Sequence, residues 1–251
     1  MELQAMLLSE GEKEVDFFIH GIFSYELFGQ TLWVTTTHVC LLIVMILLIL
    51  FFMIAGKCMK KAEEVPSGFQ NVLELLVEFL DGMINGVMGK WSPKFRNYIG
   101  TLFIFIFFSN ISGLLGLRPP TADYGVTFAL AVISFMLIHI NQFIYQKPKG
   151  VLQGLMSPWP FWLPINLIGD FAVPISLSLR LFANILSGTA IMALIYTLLG
   201  KIALVWPAAL HVYFDLFSGA IQTYVFCMLT MTYMADQIGD NLEPKEQIAT
   251  K

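Results

Sequence analysis

The amino-acid sequence predicts an all-α polytopic membrane protein. It has about five membrane helices plus an amphipathic interfacial helix, the last two membrane helices being long, tilted and packed as a hairpin. Three observations carry this. The 251 residues are 57% hydrophobic and only 13% charged, whereas soluble domains carry about a quarter charged residues. Mean hydropathy is +0.73. The apolar residues also fall in long blocks, as a bilayer core demands of each helix, at about 20 residues per crossing.

The same composition removes several function classes. A net charge of -4 lacks the basic footprint of a nucleic-acid binder. Cys40, Cys58 and Cys227 are far apart and odd in number, so they read as buried or lipid-facing thiols rather than ligands. No phosphate-loop, HExxH or defensible Ser-His-Asp pattern is present. Neither cofactor nor metal is expected, and no catalytic site is assigned to this chain itself.

The first residues, "MELQAMLLSEGEKEVDFFIH", are acidic and lack the basic and apolar regions of a cleavable signal. Insertion is therefore expected through the first span, Val34 to Ile54. Lys57, Lys60 and Lys61 follow that span, which places the N-terminus outside and the C-terminus in the cytoplasm by the positive-inside rule.

From Ser67 to Lys90, Phe69, Val72, Leu73, Leu76, Phe79, Leu80 and Met83 recur at helical spacing, while Glu74, Glu78 and Asp81 interrupt them. This predicts an amphipathic helix on the membrane surface or against a partner, with Ser67 as a candidate cap. A second span, Tyr98 to Leu117, ends in a Pro-rich turn. A third, Val126 to Tyr145, ends at Lys147 and Lys149. The stretch "GVLQGLMSPWPFWLP" is dense in Gly, Pro and Trp and reads as an interfacial or re-entrant connector.

Leu163 to Leu199 is one apolar tract. As a single helix it would be about 55 Å long against a hydrocarbon core of about 30 Å, so it must break at Pro164 or Pro174 or lie strongly tilted. Ala203 to Met234 is a second overlong tract. The whole chain, 1–251, reads as one integral membrane domain. An external segment (1–33) precedes three spans (34–145) that include the interfacial helix (67–90). The hairpin (163–235) follows, and a polar tail (236–251) closes the chain.

Chemistry must come from the few polar groups inside these tracts. Ser176, Arg180, Asn184 and Ser187 share one helix face by spacing, as do His211, Asp215, Ser218 and Gln222. Arginine at a bilayer centre costs from about 3 to above 10 kcal/mol, and its guanidinium does not deprotonate in proteins. Arg180 is thus a fixed cation and a poor proton relay, suited to attract a carboxylate or repel cations. Plainer readings stand beside this one. Arg180 and Asp215 could form a structural ion pair holding the hairpin. Asn184 and Gln222 could be interhelical hydrogen-bond glue. His211 reads first as a hydrogen-bonded helix residue, and His38 and His139 as interfacial. Asp170 is either interfacial or a channel acid, and periodicity does not decide.

"SLSLRLFANILSG" around Arg180, "DLFSGAIQTYVFCMLTMTYM" containing Gln222, and "FFSNISGLLGLRPPTADYGVTFALA" together resemble subunit a of the rotary F-type ATP synthase. The likeness runs from about Tyr98 to Met234. It implies a stator subunit that clasps a ring of c subunits, is held by b-type peripheral stalk subunits, and offers two offset aqueous half-channels to the ring carboxylates. Under it the hairpin faces the c ring, and the residues of proton translocation are Arg180, Asn184, Asp215, Gln222, His211, Asp170 and Ser176. Arg180 matches the family's essential arginine, Asn184 the asparagine one turn on, and Gln222 the glutamine opposite.

This sequence also departs from the pattern. Thr189 stands where some relatives carry glutamate, and Asp215 where they carry Glu or His, so an acid has moved between helices. Ala183 replaces a usual Gly, and Gly169 precedes Asp170 where two acids are frequent. A bacterial inner membrane, with lipid and the other subunits as the only partners, is the expected location. The competing reading is a stand-alone transporter binding an anion at Arg180.

Overall fold

The computed structural model describes residues 21–27, 30–60, 62, 68–115, 117–156, 159–199 and 210–239. The acidic start, the Ser67 cap, the link from Gly200 to Ala209 and most of the polar tail lie outside them. Among the described residues, five helical stretches are long and apolar enough to cross a membrane: Thr36–Met59, Phe69–Leu114, Tyr124–Pro148, Pro160–Leu198 and Val212–Ile238. The chain is an all-α polytopic membrane protein, as its composition requires.

One element escaped the sequence reading. Strands β1 (Gly21–Leu27) and β2 (Gln30–Thr35) form an antiparallel hairpin directly before α1 (Thr36–Met59). His38 closes the start of α1: the Thr35 amide donates to His38 Nδ1, and the Thr35 hydroxyl lies 2.7 Å from the same atom. Only Thr37, Cys40, Val44 and Leu48 of α1 are buried, a stripe at spacings of three and four. The rest of the helix presents apolar side chains outward, where lipid is their natural solvent.

Helix α2 (Phe69–Met88) is the predicted amphipathic helix. Its apolar residues divide between two sides. Leu73 and Leu80 are buried, with Ile84 and Met88 continuing their face, whereas Phe69, Val72 and Phe79 are exposed. A 3-10 turn, Gly89–Trp91, opens with Gly89 at φ +49° and leads straight into α3 (Ser92–Ile111). Only glycine adopts that φ without strain. The ion pair from Arg96 Nε to Asp81 at 2.8 Å ties the elbow together. Helix α3 starts six residues before the predicted span because Pro93 occupies its first turn, where a missing N–H costs nothing. It ends early, in the 3-10 turn Ser112–Leu115.

Helix α4 (Tyr124–Leu155) is capped by the Asp123 carboxylate, which accepts from the Gly125 amide. It contains one break, Lys147 at φ 61° and ψ 160°, immediately before Pro148. Proline disfavours the helical conformation in its predecessor, so the membrane helix stops there and a short second helix continues to Leu155. The connector is thus partly helical, with a 3-10 turn at Pro160–Trp162 and Trp159 and Phe161 well exposed.

Helix α5 (Leu163–Leu199) runs unbroken through Pro174. Of the two ways to fit it into a bilayer, the break is absent and the slant remains. Its partner, described from Leu210 on, passes through a π-helical segment, Val212–Ser218, into α6 (Gly219–Ile238). The two run antiparallel, with Asn184 against Ser218, Gly188 against Phe214 and Tyr196 against His211. The core gathers where α3, α4 and α6 meet, around Ile99, Ile106, Ala131, Phe226, Met231 and Met234. Helix α5 leans on α4 and on α6 at its edge, which leaves one face of α5 open.

Candidate functional site

That open face carries the arginine. Ser176 and Arg180 are both exposed, one turn apart on α5. Among the described residues Arg180 forms no ion pair, so the structural pairing with Asp215 is not made. Asp215 turns the other way: its Oδ2 lies 3.0 Å from His211 Nδ1, and it packs against Gly113 in the turn after α3. His211 Nε2 reaches the Tyr196 hydroxyl at 3.2 Å. The four-residue spacing of His211 and Asp215 made this contact readable; the hydroxyl from α5 was not.

Beside this pair, the Ser218 hydroxyl donates to Asn184 Oδ1 at 2.9 Å. Asn184 Nδ2 and Gln222 Nε2 are buried without an acceptor among the described residues. Buried amide donors are ordinarily satisfied, so this small set is polar beyond what holding two helices together needs. It is also braced from behind. Fully buried Asn110, near the end of α3, donates to the Gly219 carbonyl and the Thr223 hydroxyl and accepts from Thr121. Gly219 has to be glycine here, since an added Cβ would lie 2.9 Å from Asn110 Cβ. Asn110 thereby fixes the point where the π-helical turn carrying Asp215 joins α6. π-Helical turns recur at functional sites.

A second polar group lies at the opposite end of α5. Asp170 precedes Arg180 by ten residues, about 15 Å along the helix. It lines a cavity of about 590 Å³ together with Asn166, Gln142, Gln146, Asp236 and Gln237. Gln237 Nε2 donates to Asp170 Oδ1 at 3.3 Å, and His139 Nε2 lies 3.9 Å from Asp170 Oδ2. Gln142 is buried, donating to Gln237 while its own Oε1 finds no donor among the described residues. The sequence reading passed over His139 as interfacial, yet a signal was available. His139, Gln142 and Gln146 fall at spacings of three and four, one polar stripe in an apolar span.

The predicted residues therefore form two groups. Asn184, Asp215, His211 and Gln222 gather near the C-terminal half of α5, Asp170 sits near its start, and Arg180 stands between with Ser176. Among the described residues no three His, Cys, Asp or Glu side chains cluster as metal ligands would.

Comparison with known proteins bears on what such an arrangement serves. The family model described as ATP synthase A chain matches residues 38–235. The chain is similar to the sodium ion specific ATP synthase subunit a of Propionigenium modestum, with 38% identity covering 82% of this chain and 75% of that one. It is also similar to ATP synthase subunit a of Moorella thermoacetica, at 33% identity over 70% of this chain and 80% of that one. The subunit of Priestia megaterium is 32% identical, over 80% and 92%.

Proposed function

The chain belongs to the ATP synthase subunit a family, and from that premise we propose how its residues couple ion flow to rotation. As an integral membrane protein of that family it works with the other subunits of an F-type ATP synthase. The specific reading is that α5 presents Arg180 to the carboxylates of a c-subunit ring, with b-type stalk subunits holding the stator still. The Asp170 cavity gives the ring access to the cytoplasm and the Asp215 group gives access to the outside. The N-terminus then lies outside and the C-terminus inside.

One observation carries this: Arg180 is exposed and unpaired among the described residues, on an unbroken helix, between two separate polar groups. A permanent cation at that place acts in two ways. It lowers the pKa of an approaching carboxylic acid, by about 1 to 3 units for a close pair, so each ring site loses its proton as it arrives. It also repels a proton or metal cation seeking a direct path between the groups. Each charge crossing the membrane supplies about 2.3 kcal/mol per 100 mV. Without the barrier that energy would be lost as leak.

Asn184, Gln222 and Ser176 surround the passing carboxylate with polar atoms, and Asp215 with His211 loads it from outside. Proton is the ion this reading favours, because both groups pair an acid with a histidine. The test is Arg180→Ala in the assembled complex: ATP synthesis driven by an imposed gradient should vanish while the complex remains intact. Normal coupled synthesis in that variant overturns the reading.

A further inference from the structure

We infer that His139 is a proton-carrying residue of the Asp170 path, a role resting on the half-channel reading above. His139 Nδ1 lies 3.0 Å from the Phe135 carbonyl oxygen, and a carbonyl only accepts, so Nδ1 carries a hydrogen in either charge state. Protonation and release therefore happen at Nε2. That atom faces Asp170 Oδ2 at 3.9 Å. Phe135 packs against the imidazole at 4.1 Å between ring centres and also touches Phe171, so aromatic neighbours hold the ring's plane.

Neutral His139 and ionised Asp170 would aim a lone pair at a carboxylate, which is unfavourable. Adding one proton resolves this, either as imidazolium beside carboxylate or as imidazole beside carboxylic acid. The pair therefore accommodates one proton at a time, and at 3.9 Å a water has to relay it between Nε2 and Oδ2. Gln237 Nε2 donates to the other oxygen, Oδ1, leaving Oδ2 for that proton. The other acid lining the cavity is Asp236 on α6. On α3, Lys94 is committed to Asn141 and Tyr145 of α4, and Tyr98 bonds Ser134.

Position supports transfer as well. Along α4 His139 lies one turn deeper than Gln142, and along α5 Asp170 lies one turn deeper than Asn166. A proton released by a c-ring carboxylic acid binds Nε2 to give the imidazolium, passes through one bridging water to Asp170 Oδ2, and leaves as hydronium into the cavity. The imidazole is restored neutral, and the reverse order carries a proton inward to the ring. Histidine suits this work because its ordinary titration range spans neutral pH.

The experiment uses the whole ATP synthase in liposomes, with proton flux and ATP synthesis followed from pH 6 to 8. His139→Gln keeps a polar side chain but cannot titrate. It should slow both readouts by about a hundredfold, the lower end of what a positioned proton-transfer group contributes, and flatten their pH profile. Imidazole added to the compartment bathing the Asp170 cavity should restore part of the flux in His139→Gln but not in Asp170→Asn.

Wild-type flux in His139→Gln overturns the inference. So does a slowed flux that imidazole leaves unchanged, since that reports damage to packing. A flux carried by sodium and indifferent to His139 overturns it too. Arg180→Ala separates the two claims: if it abolishes coupling while His139→Gln is normal, only the His139 role falls.

Discussion

The two ends of α5 solve the same problem, polar groups in an apolar medium, in opposite ways. At the Asp215 end the polar atoms are locked together: carboxylate on imidazole, imidazole on tyrosine, hydroxyl on amide, with Asn110 bracing the junction from behind. At the Asp170 end they surround open volume, and although Gln146 and Asn166 bond main-chain carbonyls at 2.7 and 2.9 Å, the contacts of Asp170 itself are long, 3.3 and 3.9 Å. A chain of side-chain hydrogen bonds running from α5 to α6 holds one geometry, even with two amide donors left over. A loosely bonded set around a cavity admits water and rearranges cheaply. Under the proposed function, the timing of ion entry is set at the closed end and exchange with solvent at the open one.

The largest expected effect comes from removing what separates the ends. Arg180→Ala should lower coupled synthesis by about a hundredfold or more, the size seen when a preorganised electrostatic element is deleted from a low-dielectric site. Measuring synthesis and passive leak in the same vesicles checks it; two ends that stay insulated without Arg180 would break the comparison.

Next in size is a matched pair of glycine substitutions. Gly219→Ala forces a Cβ against Asn110 in the closed end and should destabilise by about 1–3 kcal/mol, as overpacking does. Gly154→Ala beside the cavity meets nothing within 4 Å and should be neutral or stabilising by about 0.5–1 kcal/mol. Thermal unfolding in detergent and yield of assembled complex report both. Equal losses would show that the open end is packed as tightly as the closed one.

Asn110→Ala should cost about 1–3 kcal/mol by stranding the buried groups it now satisfies, read by the same unfolding assay. The smallest effect belongs to the Ser218–Asn184 hydrogen bond. A double-mutant cycle to alanine should return a coupling of about 0.6 kcal/mol, typical between membrane helices, and a value near zero would remove that bond from the description of the closed end.

Much of this was legible in the sequence, for definite reasons. Bilayer thickness converts apolar length directly into spans, so the five crossings followed from counting. Helical spacing put Ser176, Arg180 and Asn184 on one face, and His211 and Asp215 on another. Spacing is silent on which face meets which helix. It therefore left the Arg180–Asp215 pairing open, and it placed His139 at an interface when the structure sets it beside Asp170, thirty-one residues on. The β-hairpin was missed because a short strand pair before an apolar run carries little periodic signal. Asn110 was missed because its work is done through backbone and hydroxyl partners more than a hundred residues away. The π-helical turn depends on hydrogen-bond register, which no residue pattern displays.

Pro174 has a consequence beyond leaving α5 unbroken. In a regular helix the amide of residue 174 would bond the carbonyl four residues earlier, and proline has no amide hydrogen to give. The carbonyl so released belongs to Asp170. That residue therefore offers three acceptor oxygens, two on its side chain and one on its main chain. A substitution at 174 would alter the solvation of Asp170 without touching its side chain.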